Sequence, residues 1–328
     1  MKTQSSQRLF LIVAVGLASS LFSFLSAETG EKLPLSLSLE EVLSIGNLED
    51  NALYQWIGVA VDAKGFIYLT DGMDYSVKKF SPQGCLIQKT GCRGQGPGEF
   101  LAPRLLGCSD EQVFVTDQNT LVLQVFDRSL RYISRIPVRS PAVDLKVFPD
   151  GRFALADVSI GRPGKIILFN KAGHVLKEYS YSRKRGPLME DWVSFELDEH
   201  DNLYLAYSFQ DKIERFDGRG RKLWSKGLLD MKNVKRQKVG PWEVPQSLVF
   251  KDIESDNQGR LYILGGGYSE KPSRTVYVLN PNGEHLSTFF LPESSHCIYI
   301  DRWNYLYSRA CEGITLKKYK ILSAGIEH

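Results

Sequence analysis

The sequence lacks a second long hydrophobic run after its N-terminal one. The first run, FLIVAVGLASSLFSFL at 10–25, follows a basic start and precedes Ala27 and the charged stretch ETGEK. A membrane-spanning helix needs roughly 20 apolar residues, whereas a shorter run with these flanks is typical of a secretory signal. We therefore predict a signal peptide at 1–27, a linker at 28–36, export to the periplasm or the cell exterior, and no transmembrane segment after cleavage. An uncleaved anchor is the alternative.

A strong excess of charge of either sign is also missing. The chain has 41 Lys and Arg against 38 Asp and Glu, and removing 1–27 with Lys2 and Arg8 lowers the formal net charge from +3 to +1. Nucleic-acid binding usually requires a clustered basic excess, so we do not expect nucleic acid as a partner. The remaining 301 of 328 residues can bury a large core without covalent cross-links.

Cysteine is scarce, and its count is odd. Five cysteines make a disulfide framework a poor explanation for the fold. Cys297 and Cys311 lie close enough in sequence to meet on adjacent strands, and a disulfide or two buried thiols are both open for them.

Motifs for common chemistries are absent. The glycine-rich stretch GCRGQGPGEF at 91–100 has G-x-G-x-G spacing and no following Lys-Ser/Thr pair, so it matches neither a dinucleotide loop nor a P-loop. No G-x-S-x-G occurs, and no two histidines have the i,i+4 spacing of a zinc helix. Ser76 and Lys79 match S-x-x-K, but on a strand residues three apart point to opposite faces. We assign no catalytic residue.

An internal repeat is present. Six segments each combine a polar turn with a short run rich in β-branched or aromatic residues, which is the signal of a hairpin. Their aligned positions are 46, 40, 50, 58 and 45 residues apart, and this is the period of propeller blades. The aligned positions are Tyr68, Phe114, Ala154, Tyr204, Tyr262 and Tyr307.

A second motif follows each of these hairpins, as in VKKFS at 77–81 and IERFD at 213–217. A turn and a further strand complete most units, so each unit has four strands. The last unit ends without its fourth strand, whereas LSLEEVLSIG at 37–46 is a spare strand at the other end of the chain. We predict an all-β, six-bladed propeller over 37–323, whose last blade is closed by the N-terminal strand, and a tail at 324–328.

The first unit resembles the NHL-repeat family of six-bladed propellers, particularly its exported bacterial members. The resemblance implies the fold but no particular activity, because propellers host many unrelated functions. It also makes 91–100 the crossover from the first blade to the second. The matching residues are Val59, Val61, Asp62, Gly65, Ile67, Tyr68, Asp71, Val77, Phe80, Gly94, Gly96, Gly98, Phe100 and Pro103.

The first strand of each blade lines the axis of a propeller, so its alternation identifies candidate ligand-binding residues. One parity is almost entirely apolar, as in Val59 and Ile253, and is expected to pack between blades. The other parity is charged in blades three to six, where charged groups need partners if buried. This set forms either a solvated channel bridged by a lysine or a site for a ligand or a divalent cation such as calcium. The candidates are Asp144, Lys146, Glu196, Asp252, Glu254 and Tyr299.

Three long loops, at 182–192, 228–246 and 265–274, are expected on one face of the ring. Long loops in compact domains are often functional, and these carry basic residues together with two tryptophans. This loop face is either an ordinary solvated basic surface or a candidate surface for an anionic partner. Its candidate residues are Arg183, Arg185, Trp192, Arg236, Lys238, Trp242 and Arg274.

Two functions therefore compete. The first is a monomeric binding module for a protein or glycan, which uses the loop face. The second is a metal-dependent hydrolase or lyase, similar to the gluconolactonases, which uses the axial carboxylates. The sequence favours binding because it lacks a recognisable catalytic motif.

Overall fold

A computed structural model describes residues 35–46, 53–138, 140–157, 163–181, 189–310 and 313–323. These residues form antiparallel β-strands and no α-helix. Six sheets have four strands each, and one further sheet is a two-stranded hairpin. The first strands of successive blades pack against one another, which confirms the predicted six-bladed β-propeller. In this described part of the chain, no helix has the length and apolarity that crossing a membrane requires.

The blades follow one another along the chain, each from its axial to its outer strand. Blades one to three contain β2 (Trp56–Val61), β3 (Ile67–Asp71), β4 (Ser76–Phe80) and β5 (Leu86–Thr90); β6 (Pro103–Cys108), β7 (Gln112–Asp117), β8 (Val122–Asp127) and β9 (Tyr132–Pro137); and β10 (Ala142–Val147), β11 (Phe153–Asp157), β12 (Lys165–Phe169) and β13 (Val175–Ser180). Blades four to six contain β14 (Val193–Leu197), β15 (Leu203–Tyr207), β16 (Ile213–Phe216) and β17 (Lys222–Lys226); β20 (Phe250–Ser255), β21 (Leu261–Gly265), β22 (Thr275–Leu279) and β23 (His285–Phe290); and β24 (Ile298–Ile300), β25 (Tyr305–Ala310), β26 (Thr315–Ser323) and β1 (Leu37–Ile45).

The ring is closed by β1, the first strand of the described chain. It pairs antiparallel with β26 from Leu37 opposite Ser323 to Ile45 opposite Leu316, with a bulge between Glu41 and Leu43. Leu37 and Ile45 are buried, and they dock the two ends of the strand into the core. The N-terminal strand therefore completes blade six, as the sequence predicted.

In four blades, the turn after the axial strand is held by an aspartate that is followed six positions later by a tyrosine. In blade one, Asp62 accepts hydrogen bonds from the backbone N–H groups of Lys64 and Phe66, and from the hydroxyl of Tyr68 at 3.2 Å. The buried tyrosine thus satisfies its polar end within the turn. The same hydroxyl–carboxylate pair recurs in blades four, five and six, as Tyr204–Asp198, Tyr262–Asp256 and Tyr307–Asp301.

The glycine-rich stretch 91–100 connects β5 to β6 and is the crossover that the sequence predicted. Gly91 has φ +106°, and a Cβ there would lie 2.6 Å from the carbonyl oxygen of Tyr75, so only glycine fits. Phe100 is buried against Phe126, with ring centroids 5.9 Å apart. Asp117, at the end of β7, fixes the chain beyond it by accepting the backbone N–H groups of 101 and 102. The glycines therefore allow the sharp backbone path of this crossover.

Apolar residues of neighbouring blades form the core between the sheets, as the alternation predicted. Val59 of blade one packs with Tyr307 and Leu316 of blade six. Ile253 of blade five packs with Tyr204 of blade four. The core therefore continues from blade to blade instead of lying inside each sheet.

Candidate functional sites at the axis and on the loop face

The strand register confirms the repeat alignment that selected the axial candidates. The residue opposite each aligned position is the one that the alternation had placed at the axis, for example Lys146 opposite Ala154 and Glu254 opposite Tyr262. Five candidates line one cavity of about 140 Å³ at the axis, whose other wall is small or apolar. The five are Asp144, Lys146, Asp252, Glu254 and Tyr299. The sixth, Glu196, is buried and contacts Lys146.

Lys146 joins the carboxylates of two other blades. Its Nζ donates a hydrogen bond to Glu254 Oε1 at 2.5 Å and lies 3.5 Å from Glu196 Oε2. Burial alone would lower the pKa of Lys146, but the charges of Glu196 and Glu254, followed by those of Asp144 and Asp252, raise it well above its usual value. The ammonium group is therefore the cation of this cluster.

The axial carboxylates also bind the backbone of the next blade. Asp144 Oδ2 accepts the N–H of Phe195 at 2.9 Å, and Asp252 Oδ2 accepts the N–H of Ile298 at 3.0 Å. Glu196 Oε2 accepts the N–H of Ser255 at 3.2 Å. Each of these bonds crosses from one axial strand to the following one, so the carboxylates hold blades three to six together at the axis.

Ser194 lies between two of these carboxylates. Its Oγ is 2.9 Å from Asp144 Oδ2 and 2.8 Å from Asp252 Oδ1. One hydroxyl proton serves only one of these contacts, so the other requires a proton on a carboxyl group. Burial raises the pKa of Asp252 to about 7, against the opposing charge of Lys146. At neutral pH the Asp252 carboxyl is therefore partly protonated.

The raised pKa of Asp252 predicts that this group makes the fold less stable as the pH rises. A carboxyl whose pKa rises from 3.8 to about 7 on folding binds more protons in the folded state. Its stabilising contribution is complete below the unfolded pKa and is lost as the pH rises through 7. Burial also raises the pKa values of Glu196 and Glu254, which act in the same direction.

Urea unfolding at pH 4.5, 5.5, 6.5 and 7.5 measures this dependence. Asp252→Asn is expected to flatten the decline of the unfolding free energy across the series. The substitution also lowers stability, because asparagine has one acceptor oxygen where the carboxylate has two, and one of these accepts the N–H of Ile298. Because the readout is the slope, this loss does not obscure it. Equal slopes for the two proteins would show that Asp252 titrates normally.

No group of three or more His, Cys, Asp or Glu side chains is placed to hold a metal ion within the described residues. At the axis, Lys146 lies where a cation would bridge Glu196 and Glu254. Backbone N–H groups bind Asp144, Asp252 and Glu196. The geometry therefore accounts for these acids as a buried ion cluster between blades.

The predicted loop-face residues occupy different environments. Arg183 and Arg185 lie outside the described residues. Trp192 is half-buried and packs against Phe209, with ring centroids 6.0 Å apart. Arg274 is half-buried, and its Nε donates to the carbonyl of Leu291 at 2.8 Å. Neither Trp192 nor Arg274 is extended into solvent.

The remaining three loop-face candidates lie on a hairpin within 228–246, where the sequence predicted a long loop. Its strands are β18 (Arg236–Val239) and β19 (Trp242–Pro245), and they pair with no other described strand. Half-buried Arg236 donates from Nη2 to the carbonyl of Glu243 across the hairpin. Exposed Lys238 stands opposite Glu243. The hairpin is thus an insertion between complete blades.

Two large apolar side chains form the tip of the hairpin. Val239 pairs with Trp242 across the turn made by Gly240 and Pro241, and the two side chains are 54 % and 58 % exposed. Sequence reasoning selected Trp242 but missed Val239. The alternation in KVGPWEV flanking a Gly-Pro turn is the signal that identifies the pair.

Four cysteines within the described residues carry free thiols: Cys85, Cys92, Cys108 and Cys297. Burial raises the pKa of the Cys297 thiol to about 12, so it is unreactive at neutral pH. Cys311 lies outside the described residues.

The six four-stranded sheets define a six-bladed β-propeller, and solved structures with similar folds support this assignment. A member of the DUF4221 family from Bacteroides vulgatus matches with a TM-score of 0.60 and 14% identity, covering 89% of this chain and 99% of that one. Virginiamycin B lyase from Staphylococcus aureus matches with a TM-score of 0.55 and 13% identity, covering 88% and 100%. A streptogramin B lyase matches with a TM-score of 0.53 and 9% identity, covering 88% and 98%.

These similarities show the fold alone, because identities this low carry no information about activity. No protein-family model matches the sequence. No curated protein sequence matches it either. Membership of the NHL-repeat family therefore remains a prediction from the first blade.

Proposed function

We propose that this protein is an exported binding module that holds a partner protein at the loop face of its propeller. The observation that carries the proposal is the hairpin β18–β19, which belongs to no blade and exposes Val239 and Trp242 at its tip. Export rests on the basic start and apolar run of 1–27, which lie outside the described residues.

The chemistry of the hairpin supports a protein partner. Tryptophan and arginine dominate the energetic centres of protein interfaces, and Trp242 stands on the same short hairpin as Arg236. The strands of every blade are paired without the hairpin, so the ring does not need it for closure. Exposed apolar side chains on such an insertion indicate a contact surface.

The alternative is a metal-dependent hydrolase or lyase that uses the axial cavity. It is supported by Asp252 and Glu254, two cavity-lining carboxyl groups whose pKa values burial raises, since such groups concentrate at active sites. Burial between the blades raises these pKa values without any catalytic role, and each group has a structural partner: Glu254 pairs with Lys146, and Asp252 accepts the N–H of Ile298. The axial alternative therefore ranks second.

The test compares Trp242→Ala with Lys238→Ala in partner capture by the immobilised protein. We expect Trp242→Ala to weaken capture by about 30-fold, the equivalent of a hot spot of about 2 kcal/mol. Lys238→Ala is expected to weaken it less than about fivefold, because an exposed charge is screened by salt. Affinity is measured by titrating the captured partner.

The matched control is Trp303→Ala. Trp303 is 47 % exposed and lies in the turn between β24 and β25, at the opposite end of the strands from the hairpin. Its replacement should leave capture unchanged, and melting temperatures verify that all variants fold. Equal capture by wild type and Trp242→Ala would refute the hairpin proposal. If Glu196→Gln with Glu254→Gln then changed the captured set, the axial alternative would take its place.

A further inference from the structure

A cleft of about 680 Å³ opens beside the hairpin and is separate from the axial cavity. Its walls come from the residues before β14, the β15–β16 loop, the end of β17 and the segment that leads into β18. Charged side chains from all these segments reach it. The lining residues that matter are Glu190, Phe209, Lys212, Lys226, Lys232 and Arg236.

Positive charge dominates this cleft. Three lysines and one arginine line it, against Glu190 and Asp211. The carboxylate of Asp211 holds the wall of the cleft together. It accepts hydrogen bonds from the backbone N–H groups of Leu228, Leu229 and Met231 at 2.8–3.0 Å. Glu190 is the second carboxylate among the described lining residues, so the cations outnumber the carboxylates by four to two.

Lys212 is placed most favourably for an anionic ligand. Its Nζ lies 3.6 Å from the centroid of the Tyr207 ring and makes no hydrogen bond or ion pair with a described residue. The nearby carboxylate of Glu214 is bound by the Tyr207 hydroxyl and by Lys222 Nζ, both at 2.7 Å. Burial lowers the pKa of Lys212, because a partly buried ammonium without a hydrogen-bonded counter-ion is costly.

We propose that this cleft binds an acidic peptide segment of the partner, so that Asp or Glu carboxylates lie against Lys212, Lys232 and Arg236. The inference rests on the proposed function, which supplies a protein partner at this face. Carboxylates form strong charge-assisted hydrogen bonds with ammonium and guanidinium groups. The volume of the cleft is in the range of ligand sites and accommodates more than one side chain.

The same charge would attract an acidic glycan, but the walls favour a peptide. Sugar rings are commonly bound with their C–H face against an open aromatic ring. Phe209, the aromatic side chain among the described lining residues, is 7 % exposed and packs against Trp192. The cleft therefore has charge for carboxylates without an open ring for a sugar.

The experiment measures fluorescence anisotropy with a labelled, end-blocked Glu-Glu-Gly-Glu-Glu peptide and its Gln-Gln-Gly-Gln-Gln counterpart. The full propeller chain is expected to bind the Glu peptide at least tenfold more tightly, with affinity falling as salt is added. Lys212→Met is expected to weaken binding about tenfold. The control Lys318→Met removes another lysine that is stacked on a tyrosine and has a lowered pKa, and it should change binding less than twofold.

Several outcomes overturn this inference. Equal affinity for the Glu and Gln peptides, or equal binding by wild type and Lys212→Met, removes the acidic-peptide site. Binding of a trigalacturonate probe without binding of the Glu peptide assigns the cleft to an acidic glycan. Trp242→Ala is expected to leave peptide affinity unchanged, since the hairpin tip does not line the cleft. Loss of partner capture and loss of peptide binding are therefore distinguishable failures.

Discussion

A chain that lacks Leu37–Ile45 is expected to aggregate, or to melt roughly 10 °C below the intact chain. β1 is the outer strand of blade six, and its loss removes the buried side chains of Leu37 and Ile45. Burial of two such side chains contributes about 3–6 kcal/mol, and each kcal/mol shifts the melting temperature of a large domain by about 2 °C. The deletion also exposes the edge of β26, which favours aggregation.

Thermal unfolding followed by circular dichroism, with light scattering recorded in parallel, measures the effect. The control is Val42→Thr, because Val42 is exposed and lies at the bulge of β1. This variant should have the same melting temperature as the wild type. A synthetic peptide of residues 35–46 should restore part of the lost stability by occupying the open edge. An unchanged melting temperature after the deletion would show that the ring does not depend on this closure.

Replacing Lys146 by methionine is expected to destabilise the propeller by about 3–5 kcal/mol, because it removes one partner of a buried ion cluster. Glu196 and Glu254 would then face each other without the ammonium that now lies between them. The loss should shrink at low pH, where protonation neutralises the two carboxylates. Urea unfolding at pH 7 and pH 4.5 checks both expectations.

A second substitution isolates the charge from the packing. Lys146→Met combined with Glu254→Gln should recover part of the stability, since the pair of changes leaves fewer uncompensated carboxylates. Lys238→Met, at an exposed position of the hairpin, should change stability by less than about 0.5 kcal/mol. If Lys146→Met were as mild as this control, the cluster would not join the blades.

The repeat determined much of what the sequence could predict. Spacing of the aligned positions predicted six blades, and the spare strand at 37–46 predicted the closure, because a four-stranded unit is incomplete without it. Strand alternation placed Lys146 and Glu254 at the axis correctly, since the period of two is fixed by the backbone. These features depend on local pattern and on counting.

Features that depend on distances between blades were not predictable. Alternation orients Ser194 toward the axis but does not reveal that its hydroxyl lies within 2.9 Å of both Asp144 and Asp252. The cleft likewise combines segments that are far apart in sequence, such as Glu190 and Arg236. The glycine at 107 of blade two was not explained by the pattern either: a Cβ there would lie 2.4 Å from the Val147 side chain of blade three, so close packing of these blades requires glycine.

The pairing of β1 with β26 also sets the order of events during synthesis. The two strands come from opposite ends of the described chain, so β1 leaves the ribosome long before the strand with which it pairs. Blades one to five acquire their strands in sequence, whereas blade six is incomplete until β26 has been made. Such long-range pairing folds slowly, and a chain interrupted before β26 leaves its first strand without a place in the ring. Synthesis of β26 is therefore the event that permits the native ring to form.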